Sequence, residues 1–134
     1  MSGLVLDASV SGWWALEGGA HARASALLDL VVARGAAAPW NWWFESRNLL
    51  TVQERRGVLT REEAAAQMEA LTRLRIAMDG EPDAPAIAAM ARRHRLTFYD
   101  AAYLELAARK RLPLASFDDD LLRAARAEGI ALIE

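Results

Sequence analysis

Apolar positions along the chain come in two rhythms, short dense runs and longer stripes at helical spacing, and the two alternate. "GLVLD" (3–7) predicts a short buried strand ending on an acid. A helical stretch follows to about residue 34, with a break at "EGG" (17–19). "AAAPW" (36–40) predicts a second strand, and "NWWFESRNLLTVQERRG" (41–57) a helix with Asn41 as N-cap and Gly57 as its stop. Thr60 and Glu63 have the spacing of a capping box, opening a helix to about residue 74. "RIAM" (75–78) predicts a short strand, and Pro82 and Pro85 precede a helix over 85–94. Thr97 and Asp100 suggest a second capping box, for a helix to about residue 110. "LPLASF" (112–117) predicts a strand, "DDDLLRAARAEG" a helix stopped by Gly129, and "IALIE" a last strand. Strands alternating with helices imply an α/β fold with a parallel sheet between helices. No repeat, low-complexity segment or linker interrupts the 134 residues, so one domain, 1–134, is expected.

In such sheets ligand sites gather beyond the C-terminal ends of the strands. Asp7 and Asp118 each follow a predicted strand. Helical neighbours lie three, four and seven residues apart, and an acid inside an apolar stripe needs a reason, because burying an unpartnered carboxylate is costly. Asp100 continues through Tyr103, Leu104 and Ala107, an apolar face, with the capping bond to Thr97 as its ordinary explanation. Glu105 points instead toward Arg109, four residues on, which predicts an exposed ion pair. Glu45 shares its stripe with Trp42, Asn48, Leu49 and Val52, which puts Glu45 and Asn48 together on the core side.

"SFDDDLL" (116–122) holds three adjacent aspartates, and helical phase separates them. Asp118 leads to Leu121, Leu122 and Ala125, the apolar stripe. Asp119 leads to Arg123 and Arg126 and stands three after Ser116, the capping-box spacing. Asp120 serves the helix dipole, with a possible part in holding outer water. Asp118 is therefore the inward acid of the three.

Composition narrows the chemistry. The chain is 54% hydrophobic, so folding is expected, and it has no cysteine, which excludes disulfides and thiolate metal sites and suits a reducing cytoplasm. No apolar run approaches a membrane span, and no signal peptide is expected. A formal net charge of −2 restricts any nucleic-acid binding to local patches. Asp7, Glu45, Asp100 and Asp118, if they converge, repel and raise one another's pKa values. A divalent cation resolves this, and oxygen-only donors favour Mg²⁺ or Mn²⁺ over Zn²⁺. Such a cation acidifies bound water and stabilises charge on a phosphate, which suits phosphodiester hydrolysis.

With those acids placed, the sequence resembles a PIN-domain ribonuclease, and within that family the VapC toxins of toxin–antitoxin pairs. "LVLDASV" resembles the opening strand and first acid, Asp7, with Ser9 two after it; "WFESRNLL" resembles the second motif, with Glu45 and Asn48. "RLTFYDAAYLELAARKRLPLASFDDDLLRAA" resembles the tyrosine–aspartate–alanine helix and the strand running into the last acid, with Asp100 and Asp118 in those places. Ser116 stands where the family usually has threonine. The resemblance implies a three-layer sandwich with a short, mostly parallel central sheet. It implies a Mg²⁺-dependent endoribonuclease that cuts transfer or ribosomal RNA and so inhibits translation. Its partners would be a VapB-like antitoxin and a second copy of the chain, without a membrane. An inert PIN scaffold that binds RNA or protein is the alternative. A phosphoacceptor domain lacks its paired acid beside Asp7, and an aspartate-nucleophile phosphatase prefers an acid where Ser9 stands.

The remaining polar residues have two readings each. Ser9 and Ser116 either orient an acid or its water, or cap a helix. His21 and His94 fall in no motif. The clusters Arg92–Arg93–His94–Arg95 and Arg109–Lys110–Arg111 either bind phosphate or complement helix C-termini. Five tryptophans exceed what a small core needs, which suggests that some lie in an interface.

Overall fold

The computed structural model describes residues 3–16 and 22–133. Its elements alternate as β1 (Val5–Leu6), α1 (Ala8–Leu16), α2 (Ala22–Arg34), β2 (Ala36–Ala38), α3 (Trp40–Arg55), α4 (Arg61–Arg73), β3 (Ile76–Met78), α5 (Ala84–His94), α6 (Phe98–Lys110), β4 (Leu114–Ala115) and α7 (Asp119–Ala127). The expected break at 17–19 and His21 lie outside the described residues. The four strands pair in parallel in the order β3-β2-β1-β4, with Val5 opposite both Ala37 and Leu114, and Ala36 opposite Ile76. Parallel neighbours require crossovers, and the helices supply them. The helices α1 to α4 pack among themselves, α5 to α7 form a second group, and α6 lies on β1 and β4, so the sheet sits between two helical layers.

The strands are short because little sheet is needed. β2 is three alanines, all buried, in an interior strand whose small side chains allow close packing from both faces. Gly35 turns α2 into β2 at φ +72°, its amide bonding Val31 O at 2.7 Å, a conformation that favours glycine. The expected last strand is reduced to one parallel bridge, Leu114 with Leu132.

Two capping expectations change. Thr60 and Glu63 make the full reciprocal box. Thr97 accepts from the Asp100 amide at 3.1 Å without the return bond. Asn41 does not cap α3: the cap position is Pro39, whose hydrocarbon ring offers no hydrogen bond, and Asn41 lies inside the first turn. α6 runs through the middle of the molecule, with Ala101 to Ala107 all buried. Glu105 is therefore buried rather than exposed, although it does hold Arg109, at 2.8 Å.

Candidate active site

Parallel strands deliver their C-terminal ends to one edge, and three helices begin there. Asp7 joins β1 to α1, Ser116 and Asp118 join β4 to α7, and Asp100 lies in the first turn of α6. Glu45 reaches the same place from the second turn of α3. Helix N-termini carry partial positive charge, which favours acids at these positions.

Asp7 is 5% exposed. Its Oδ2 accepts from Ser9 Oγ at 2.6 Å and from Ser116 Oγ at 2.7 Å. Each serine also accepts from the loop after β4: Ser9 from the Phe117 amide at 2.9 Å, Ser116 from the Asp118 amide at 3.0 Å. The two hydroxyls thus stitch that loop onto Asp7. Burial raises the Asp7 carboxyl to about 6, against the lowering effect of the two serines, and Asp100 and Glu45 push it the same way as burial.

Burial also raises Asp100, followed by the charges of Asp118 and Glu45, with a smaller push from Asp120. Asp7 thus feels Asp100 and Glu45, and Asp100 feels Asp118, Glu45 and Asp120, so Asp100 links the first acid to the last. Glu45 Oε1 accepts from Asn41 Nδ2 at 2.6 Å and from the Tyr103 hydroxyl at 3.0 Å. Burial, then the charges of Asp7 and Glu45, hold the Tyr103 hydroxyl far above its ordinary range, so it stays protonated and donates. Asp118 is the N-cap of α7, its Oδ1 accepting from the Leu121 amide at 3.0 Å. Ser116 is therefore not the cap, Asp119 takes no part in a capping box, and Arg123 faces Asp120 at 3.5 Å rather than Asp119.

Asn48 does not join this group in the core: it is on the exposed side of α3, and buried Ser46 fills the inward position instead. Asn41 and Tyr103 are the additions that the motifs did not single out. Asn41 stands four before Glu45 and Tyr103 three after Asp100, so both signals were present as helical spacing. His94 is remote in role, since its Nε2 lies 2.5 Å from Glu128 Oε2 at the other end of α7. Arg109 is held by Glu105 and Asp79 and is not left over for phosphate. Trp42 is buried, whereas Trp40, Trp43, Phe44, Phe98 and Tyr99 are exposed around the first turns of α3 and α6.

The donor set suits a hard cation. Every donor is a carboxylate oxygen, and among the described residues none of the four acids pairs with a basic side chain. Asp7, Glu45 and Asp118 each commit one oxygen to hydrogen bonds and leave the other available. As the side chains stand, no three described His, Asp or Glu residues gather closely enough to hold an ion by themselves. Mg²⁺ usually takes only one or two carboxylates and keeps waters, so this acid set fits it without a closed cage.

The chain matches the PIN domain family over residues 4–127, and it belongs to that family. PIN domains are nucleases generally, and typically metal-dependent ones. The crystal structure of PAE2754 from Pyrobaculum aerophilum is similar in fold, with a TM-score of 0.72 at 22% identity, covering 92% of this chain and 86% of that one. No protein of curated description matches the chain. Among the described residues no helix is long and apolar enough to cross a membrane.

Proposed function

We propose that the chain is a divalent-metal-dependent endoribonuclease of the VapC toxin type. It hydrolyses RNA phosphodiester bonds, transfer or ribosomal RNA being the expected substrates. A VapB-like antitoxin restrains it, and it works as a dimer in the cytoplasm. The observation that carries this reading is four acids, Asp7, Glu45, Asp100 and Asp118, brought to one end of the sheet with no basic side chain among the described residues paired to them, where burial and neighbouring acids raise both Asp7 and Asp100. Such an arrangement is costly unless a cation completes it.

Asp7, Glu45, Asp100 and Asp118 would hold Mg²⁺ or Mn²⁺, with Ser9 and Ser116 fixing the orientation of Asp7. Bound there, the cation neutralises charge on the phosphate and makes water a better nucleophile. The protein contributes preset carboxylate orientations, so little rearrangement accompanies the reaction. Exposed Trp40, Trp43, Phe44, Phe98 and Tyr99 would be covered by protein partners, where aromatic side chains are enriched.

The absence of a ready three-acid cage among the described residues is the observation that favours the inert scaffold. Cleavage separates the two readings. Purified chain, freed of any antitoxin, should cut RNA with added Mg²⁺ or Mn²⁺ and stop with EDTA. RNA left intact under all these conditions, or cut equally with EDTA, would sink the metal-nuclease reading.

A further inference from the structure

Among the described residues, Glu45 is the one site acid held by side chains from two different helices. Asn41 comes from the first turn of α3 and Tyr103 from the second turn of α6, and both donate to Oε1. A carboxylate oxygen has two lone-pair directions, so two donors fill Oε1 and leave Oε2 as the oxygen available to a ligand. Each donor is anchored in turn beside another acid. Asn41 Nδ2 also donates to the carbonyl of Tyr99, the residue before Asp100, at 3.2 Å. The Tyr103 oxygen faces the amide of Ala8, the residue after Asp7.

We infer that Asn41 and Tyr103 are positioning residues that clamp Glu45 Oε1 and set Glu45 in register with Asp7 and Asp100. The inference rests on the metal-site reading above and deepens it. Glu45 is carried by a long side chain with three rotatable bonds, unlike the shorter aspartates. Without the clamp its carboxylate would be spread over several rotamers, and ordering it on binding would weaken affinity. The two residues do not touch the reacting atoms; they act through Glu45 alone.

The test is Mn²⁺ titration of the whole chain by calorimetry, which reads binding independently of cleavage. Asn41→Ala and Tyr103→Phe should each weaken Mn²⁺ about tenfold, the usual scale for residues that orient a metal ligand. Tyr103→Phe keeps the buried ring, and Asn41 lies at the surface end of α3, so thermal melts of the metal-free proteins should show both folded. The decisive comparison is Asn41→Ala introduced into Glu45→Ala: acting through Glu45, it should then change affinity less than twofold. A purely structural tie between α3 and α6 would weaken Mn²⁺ equally in both backgrounds and would overturn the inference. Unchanged affinity in both single variants would overturn it too, while leaving the proposed function standing. A wild type that takes up no Mn²⁺ overturns the metal reading and the clamp together.

Discussion

Ser116 Oγ donates to Asp7 Oδ2 at 2.7 Å, across 109 positions of sequence. The same hydroxyl accepts from the Asp118 amide. One serine therefore fixes the first acid and begins the turn that presents the last one. Ser116→Ala leaves Asp7 with Ser9 as its sole hydroxyl donor and removes an influence that lowers its pKa. Half-saturation of RNA cleavage should need about tenfold more Mg²⁺, and Ser116→Thr should restore it. An unchanged Mg²⁺ requirement in the alanine variant would show that this contact does not orient the site.

The raised Asp7 has a consequence for stability. An acid whose folded pKa lies above its ordinary value binds its proton more tightly folded than unfolded. Stability of the metal-free protein therefore falls as pH rises from near 3.8 to about 6 and is level above that, as far as Asp7 decides it. The ionised, nine-tenths-buried carboxylate costs the fold on the order of 3 kcal/mol at neutral pH. Asp7→Asn should abolish cleavage and yet melt several degrees higher than wild type at pH 7 without metal, with the gap closing near pH 4. Differential scanning calorimetry at the two pH values checks this, and a variant less stable at pH 7 would refute it.

Strand ends pointed to Asp7 and Asp118, and apolar stripes to Glu45, Asp100 and Asp118; the fold carries all four to the C-terminal edge of the sheet. The same rule failed for Asn48. α3 turns that position toward solvent, and buried Ser46 shows that small polar residues can fill the inward face by bonding the helix itself, here the Trp43 carbonyl at 3.2 Å. Asn41 was legible as a helix start but not as a site residue, since its role depends on α6 lying alongside. Glu105 was misplaced for a similar reason: an isolated helix exposes it, and only the central position of α6 buries it, while its partner Arg109 reaches the surface. The last strand is reduced to the single bridge between Leu114 and Leu132, so residues 130–133 form no ladder.

The three adjacent aspartates should separate functionally. Asn is as good an N-cap as Asp, so Asp118→Asn retains the bond to the Leu121 amide and removes only the charge. It should lower cleavage at least a hundredfold with a melting temperature within a few degrees of wild type. Asp119→Asn should retain nearly full activity. Asp120→Asn should fall between, because Asp120 contributes to the field at Asp100 while pairing loosely with Arg123. Initial rates on one RNA substrate rank the three, and equal losses at Asp118 and Asp119 would undo the assignment.

Far from the acids, Glu128 at the end of α7 binds both His94 and Arg93 of α5 through Oε2, each at 2.5 Å. His94 and Glu128 are mostly enclosed, while the Arg93 side chain is 55% exposed and solvent-screened, so the histidine arm carries most of the effect. The bond to His94, before that to Arg93, holds the Glu128 carboxyl below its ordinary range. A lowered acid stabilises the fold above its unfolded pKa and loses that contribution as pH falls through the folded value. Glu128→Gln should therefore cost about 1–2 kcal/mol at pH 7, in line with losing a charge-assisted hydrogen bond, and progressively less below pH about 4.5. Urea unfolding at pH 7 and pH 4 measures both numbers. RNA cleavage at 25 °C should be unaffected, because α7 remains anchored at its other end by Asp118, Leu121 and the Ser116 turn. A variant with normal stability at pH 7 would show that the pair contributes nothing to holding α7 against α5.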